Sequence, residues 1–219
     1  MKFGHRNMKR TQQKLPRLMI VSNGREHLDA RGLAERQARA LPESESVLFQ
    51  LREKGLEAGL LLELAHSLKP LLDASGSKLL INERADIALA AGAYGVHLPE
   101  NSLPSSGIRK AFPELATGKS VHSVGAAVDA MKSGIDYLLF GPVFATPSKE
   151  GFGAPQGLDE LGKVCRSVSI PVFAVGGITP EKSFACLEQG AWGIAAMGAF
   201  LDAESLGKTI STFRSYLPS

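Results

Sequence analysis

The sequence predicts an α/β protein of the (β/α)8 class, a TIM barrel, and three observations predict it. Short apolar runs alternate with amphipathic helical patterns eight times without a break. Runs such as Tyr137-Leu138-Leu139-Phe140 are apolar at every position, as strands covered on both faces are. Glycines, hydroxyls and cations gather just after the runs, where barrels of this class carry their chemistry. The 219 residues suffice for one such domain, which takes about 250 residues and can close with about 200. A doubly wound open sheet is the competing arrangement of the same alternation.

Each element has a local reason. Leu18 to Ser22 is the first strand, ended by the turn residues Asn23-Gly24. Asp29 caps a helix through Leu41, which Pro42 stops. Ser46 to Leu51 is the second strand, with Arg52-Glu53-Lys54-Gly55 at its carboxyl end. Leucines 60, 61, 64, 68 and 71 recur at helical spacing and make Leu56 to Leu72 an amphipathic helix, ended by Ser75-Gly76. Lys78 to Ile81 is the third strand, and Glu83 to Ala91 a short helix ending at Gly92. Tyr94 to Leu98 is the fourth strand, and Pro104 opens a helix that Pro113 stops. Ala116 to Ser120 is the fifth strand; Ser123 or Val124 opens a helix closed by Gly134. The sixth strand, Tyr137 to Phe140, breaks at Gly141-Pro142 into a loop carrying Thr146, Ser148 and Lys149, followed by a helix from Leu158 to Val168. Pro171 to Val175 is the seventh strand, and Thr179-Pro180-Glu181 starts the next helix, with a cap residue and a proline in their favoured places. Ala191 to Ala196 is the eighth strand, and Ala203 to Tyr216 the closing helix.

Composition narrows the function classes. Apolar residues make up 44% and charged residues 21%, an ordinary globular balance that needs no second domain. The net charge of +3 is small, and the lysines and arginines are spread along the chain except in the first seventeen residues, which argues against nucleic acid. The basic opening, residues 1–17, has no apolar core, so it reads as a disordered lead-in to a single domain over residues 18–217, and as neither secretory signal nor membrane span. Cys165 and Cys186 have no metal-like spacing and read as reduced, structural thiols, which places the protein in the cytoplasm by default.

The strand ends supply the candidate site. They carry Gln50, Arg52, Lys54, Asn82, Glu83, Ser102, Ser120, His122, Thr146, Ser148, Lys149, Gly176, Gly177 and Gly198. Three cations, Arg52, Lys54 and Lys149, beside hydroxyls and bare amides imply an anionic ligand. Gly176-Gly177 ahead of a helix start, with Gly198 after the eighth strand, is a phosphate cradle in pattern. His97 sits within a strand and reads as a core or supporting histidine. His122, directly after the fifth strand, could shuttle a proton or orient its neighbours.

Five stretches in order, FQLREKGL, INERADIALAAGAYGVHLPENSLP, GKSVHS, GPVFATPSK and PVFAVGGITPE, resemble thiamine phosphate synthase and its TenI relatives over roughly residues 45 to 200. The resemblance implies a transferase of thiamine biosynthesis. It would join a hydroxymethylpyrimidine diphosphate to a thiazole phosphate and release pyrophosphate, with phosphorylated small molecules as its partners. It implies that Gln50 and Asn82 contact the pyrimidine, and that Ser120 contacts its diphosphate. Arg52, Lys54 and Lys149 would stabilise the departing charge, Thr146 and Ser148 would cover both ligands, and Gly177 with Gly176 and Gly198 would hold the thiazole phosphate. Homo-oligomerisation is compatible with the resemblance and is not specified by it.

Two departures bear on the cofactor. The family pattern has aspartates, its magnesium ligands, where this chain has Glu83 and Ser102. Glu83 has a longer arm to reach Mg2+, but Ser102 cannot supply the charge, so weakened metal binding and an impaired activity are expected. TenI-type thiazole tautomerases lack the metal pair and show a comparable Ser-Val-His-Ser, here Ser120 to Ser123, so an isomerase is one alternative; the missing carboxylate makes a non-catalytic phosphate-ligand regulator another. Pro142 stands where the tautomerase carries its catalytic histidine.

Overall fold

The structure is a computed structural model that describes residues 15–22, 30–42, 46–146, 154–201 and 205–218. Eight parallel strands form a closed barrel in sequence order: β1 Leu18–Val21, β2 Leu48–Leu51, β3 Lys78–Asn82, β4 Gly95–Leu98, β5 Ala116–Val121, β6 Tyr137–Phe140, β7 Val172–Val175 and β8 Gly193–Ala196. β8 pairs with β1 through Leu18 opposite Ile194, so no strand edge is left open. The helices between them are α1 Ala30–Arg39, α2 Ala58–Ala74, α3 Ala85–Ala90, α4 Ser105–Ala111, α5 Val124–Lys132, α6 Gly157–Ser167, α7 Pro180–Glu188 and α8 Leu206–Tyr216. Closure excludes the open doubly wound sheet.

Local chemistry explains the element ends. On α2, Leu61, Leu64, Ala65, Leu68 and Leu72 fall on one buried face. Ser123 caps α5 by accepting the Ala126 amide through its hydroxyl at 3.2 Å. Two expectations are corrected. The Thr179 side chain makes no cap bond on α7, although Pro180 does occupy the first turn; Thr179 instead hydrogen-bonds the Glu181 carboxylate and lowers its pKa. Glu83 does not begin α3. It has φ of 63° at the centre of a three-residue turn closed by the Arg84 amide on the Asn82 carbonyl at 2.8 Å.

The core has two shells. Between sheet and helices lie the outward strand residues with the buried helix faces, including Leu64, Leu68, Ile210 and Phe213. Inside the barrel, Met19, Val21, Leu48, Leu80, Tyr137, Leu139, Phe173 and Ala195 form a separate packed group. Space there is rationed by glycine. A Cβ on Gly118 would lie 2.0 Å from the ring of Tyr137, its register partner on β6, and one on Gly95 would lie 2.1 Å from the Ala116 carbonyl oxygen. At the amino-terminal end, Arg17 lies over the Trp192 ring at 4.2 Å and donates to its carbonyl at 2.7 Å. No helix among the described residues is long and apolar enough to cross a membrane.

Gly118→Ala forces the Tyr137 ring to move and is expected to cost about 3 kcal/mol or more, about 6–12 °C in Tm for a chain of this size. Thermal unfolding followed by circular dichroism checks it; an unchanged Tm shows that the interior has room the geometry denies.

Candidate functional site

The carboxyl ends of the strands form one mouth, lined from β2 to β5 by two groups of side-chain contacts, one between β2 and β3 and one between β4 and β5. Lys54, beyond β2, has its ammonium 3.9 Å from the Glu83 carboxylate beyond β3. The same carboxylate accepts the Asn82 amide at 3.0 Å. Asn82 is in register with His97 on β4, and His97 Nε2 lies 2.9 Å from Ser120 Oγ on β5. Arg52 belongs to this arc, because its charge acts on His97. Its backbone is pinned where the Ser22 hydroxyl accepts the Arg52 amide at 2.9 Å and donates to the buried Glu53 carboxylate at 2.7 Å. Gln50 is buried beneath the arc, its amide 3.5 Å from the Met19 sulfur.

The other side of the mouth is built from backbone. The loop after β6, Gly141 to Thr146, lies across the end of β7: the Val143 amide donates to Val175 at 2.9 Å and the Phe144 amide to Gly176 at 3.0 Å. Both glycines have the left-handed backbone, with φ of 98° at Gly176 and 63° at Gly177. A Cβ on either would strike this loop, at 2.5 Å from the Pro142 side chain and 2.3 Å from the Ala145 carbonyl oxygen. The pair is thus required by packing as well as suited to a close anion. Lys182 on α7 ties the two loops, donating to the Gly177 carbonyl at 3.3 Å with its ammonium 4.9 Å from the Phe144 ring centre. Gly198 follows β8 at the start of a 3-10 turn, Gly198–Phe200, and a Cβ there would meet nothing within 4 Å.

Among the sequence candidates, Lys54, Asn82 and Glu83 are joined directly, Ser120 is joined to His97, and Arg52 lies near enough for its charge to act on His97. Gly176, Gly177, Gly198 and Thr146 stand on the facing loops of the same mouth. Ser148 and Lys149 lie outside the described residues. His122 bridges the two sides, its Nδ1 in a short hydrogen bond with the Gly141 carbonyl and its Nε2 3.9 Å from the Glu100 carboxylate. Three contributors escaped the sequence reading: Lys182, Glu53 and the His97–Tyr137 pair. A lysine one turn into a helix gives no signal of its own. Nor does a buried glutamate inside an exposed-looking Arg-Glu-Lys run.

His97 and Tyr137 lie at the bottom of the mouth. His97 Nδ1 is 3.2 Å from the Tyr137 hydroxyl, and the rings are stacked with centroids 5.7 Å apart. Burial, reinforced by the Arg52 charge, lowers the His97 pKa to about 3, so the imidazole is neutral across the physiological range. Burial also raises the Tyr137 phenol well above its ordinary value. The thiols are equally unreactive, Cys165 being pushed up to about 11 and Cys186 to about 12 by burial.

Glu83 and Ser102, the residues at the two expected magnesium positions, are engaged with protein groups. Glu83 already holds Asn82 and faces Lys54, and the Ser102 hydroxyl donates to the Leu103 carbonyl at 3.2 Å. Among the described residues no three His, Cys, Asp or Glu side chains gather where they could hold an ion.

Comparison with known proteins agrees with this geometry. A family described as thiamine monophosphate synthase matches residues 18–200. A Geobacter sulfurreducens protein, designated only provisionally a thiamine-phosphate synthase, is 46% identical over 153 residues, or 69% of this chain and 72% of that one. The thiamine-phosphate synthase of Roseiflexus castenholzii is 37% identical over 156 residues, 71% of this chain and 68% of its own. The solved structure of thiamine phosphate pyrophosphorylase from Pyrococcus furiosus superposes with a TM-score of 0.79 at 30% identity, covering 93% of this chain and 95% of that one.

A neutral buried His97 ties stability to pH. Its folded pKa, about 3, lies below the ordinary 6.5, so the unfolded chain takes up the proton first as pH falls. Stability from this group is full above pH 6.5 and is lost from there down to about pH 3, at about 1.4 kcal/mol per pH unit. Urea unfolding at pH 7, 6, 5 and 4 should show this slope in the wild type and its loss in His97→Gln; equal slopes contradict the burial of a neutral imidazole.

Proposed function

Because the chain belongs to the thiamine monophosphate synthase family, we propose that it is a cytoplasmic transferase making thiamine phosphate from a hydroxymethylpyrimidine diphosphate and a thiazole phosphate. The observation that carries this reading is the β2–β5 arc. Arg52, Lys54, Asn82 and Ser120 stand at the ends of β2, β3 and β5 at one mouth, which the double glycine of the β7 loop also borders. That is the equipment for a ligand with a planar polar ring and a diphosphate at one end, and for a second ligand with a single phosphate.

The chemistry then follows from charge. The bond between the pyrimidine methylene carbon and the diphosphate oxygen breaks, and both electrons leave with pyrophosphate. The thiazole ring nitrogen supplies its lone pair to that carbon, forming the new carbon–nitrogen bond. Arg52, Lys54 and Lys149 stabilise the negative charge as it develops, and Ser120 donates a hydrogen bond to it. Gln50 and Asn82 hold the pyrimidine, Thr146 and Ser148 close over the pair, and Gly177 with Gly176 and Gly198 offers amides to the thiazole phosphate. Of the two expected magnesium positions only Glu83 keeps a carboxylate, so neutralising the leaving group falls chiefly on the cations. The synthase reading is favoured over a tautomerase by Pro142, which packs on Gly176 and leaves no base at that position.

Incubating the purified chain with the two substrates and magnesium should yield thiamine phosphate, and no product above background rejects the reading. Lys149→Ala and Arg52→Ala should each lower kcat/KM by about a hundredfold or more. Wild-type kinetics in both variants would remove these cations from the site.

A further inference from the structure

Ser120, His97 and Tyr137 look at first like a nucleophile with its base and orienting group. The geometry points the other way. Tyr137 is fully buried, stacked on His97 and edge-on to Phe173, with ring centroids 5.8 Å apart and planes at 80°. Among the described residues its hydroxyl has one hydrogen-bond partner, His97 Nδ1 at 3.2 Å. A neutral imidazole has one N–H and one bare nitrogen. If the proton were on Nδ1, the phenol would have to accept it. Its own hydrogen would then point into the apolar interior, a buried donor without an acceptor. With the proton on Nε2 every group is satisfied. Tyr137 donates to Nδ1, Nε2–H donates to Ser120 Oγ at 2.9 Å, and the Ser120 hydrogen is left to point outward into the mouth.

We propose that Tyr137 and His97 are positioning residues that lock Ser120 as a one-way hydrogen-bond donor to the diphosphate. The proposal rests on the transferase reading for the identity of the anion, but its direction of donation does not. The serine cannot act as a nucleophile here. Nε2 already carries its proton, and an imidazole so reluctant to gain a second one cannot take the hydroxyl hydrogen. Such a chain of aligned hydrogen bonds polarises the terminal hydroxyl and stiffens it against reorientation, which matters most where negative charge is developing. It also explains why Gly118 must be bare: the Tyr137 ring that starts the chain occupies the space a side chain there would need.

The test uses inorganic pyrophosphate as the probe, the full-length chain, and nitrogen NMR of the histidine ring. Wild type should show His97 protonated on Nε2 with Nδ1 bare; the opposite tautomer overturns the proposal. In calorimetry, Ser120→Ala and His97→Leu should each weaken pyrophosphate binding by about tenfold, and Tyr137→Phe by about threefold to tenfold. His97→Gln, whose amide can still donate to Ser120, should recover most of the affinity lost in His97→Leu. Equal losses in the Gln and Leu variants, or none in Tyr137→Phe, would show that the pair merely packs. If these results hold while no thiamine phosphate is formed, the transferase reading fails and the relay stands.

Discussion

Everything at the mouth depends on closure of the sheet. Once β8 pairs with β1, each strand's inward positions are forced into register with those of its neighbours, and the interior becomes a fixed volume to be shared. The sharing is uneven. β6 and β7 contribute the rings of Tyr137 and Phe173, and β5 gives way to the Tyr137 ring with Gly118. The two rings pack edge to face inside the barrel, and His97 beneath Ser120 rests on the first of them.

The mouth divides into two kinds of surface. The β2–β5 arc presents side chains: Arg52, Lys54, Asn82, Ser120 and the carboxylate of Glu83. The β6–β8 side presents backbone, because its loops lie so close to one another that Gly176 and Gly177 have no room for a Cβ. A side-chain surface can discriminate a heterocycle and its charged tail, while bare amides hold any phosphate that fits. That division suits a protein that must hold two ligands with their reactive ends facing. Lys182, bonded to the Gly177 carbonyl and lying near Phe144, keeps the backbone half together.

The barrel was legible because burial on both faces leaves continuous apolar runs, and because proline, serine and glycine mark the helix ends locally. The candidate residues were legible because topology alone sends strand ends to one face. Orientation was not. Nothing in Asn82-Glu83 announces that Glu83 adopts a left-handed backbone and turns its carboxylate back onto Asn82 and towards Lys54. His97 between two apolar neighbours looks like a core residue, and it is buried as one. Its link to Ser120 appears only when β4 and β5 are paired, 23 residues apart in sequence. Contacts between distant strands are set by register, which no local pattern encodes.

The central claim is that two anions meet at one mouth, a diphosphate on the arc and a single phosphate on the facing glycine loop. A crystal structure of the chain soaked with pyrophosphate and the thiazole phosphate measures this most directly. The expected result is pyrophosphate within hydrogen-bonding distance of Ser120 Oγ and the Arg52 guanidinium, with the thiazole phosphate on the Gly177 amides. Phosphate density confined to the amino-terminal end of the barrel, near Trp192 and Arg17, would contradict it.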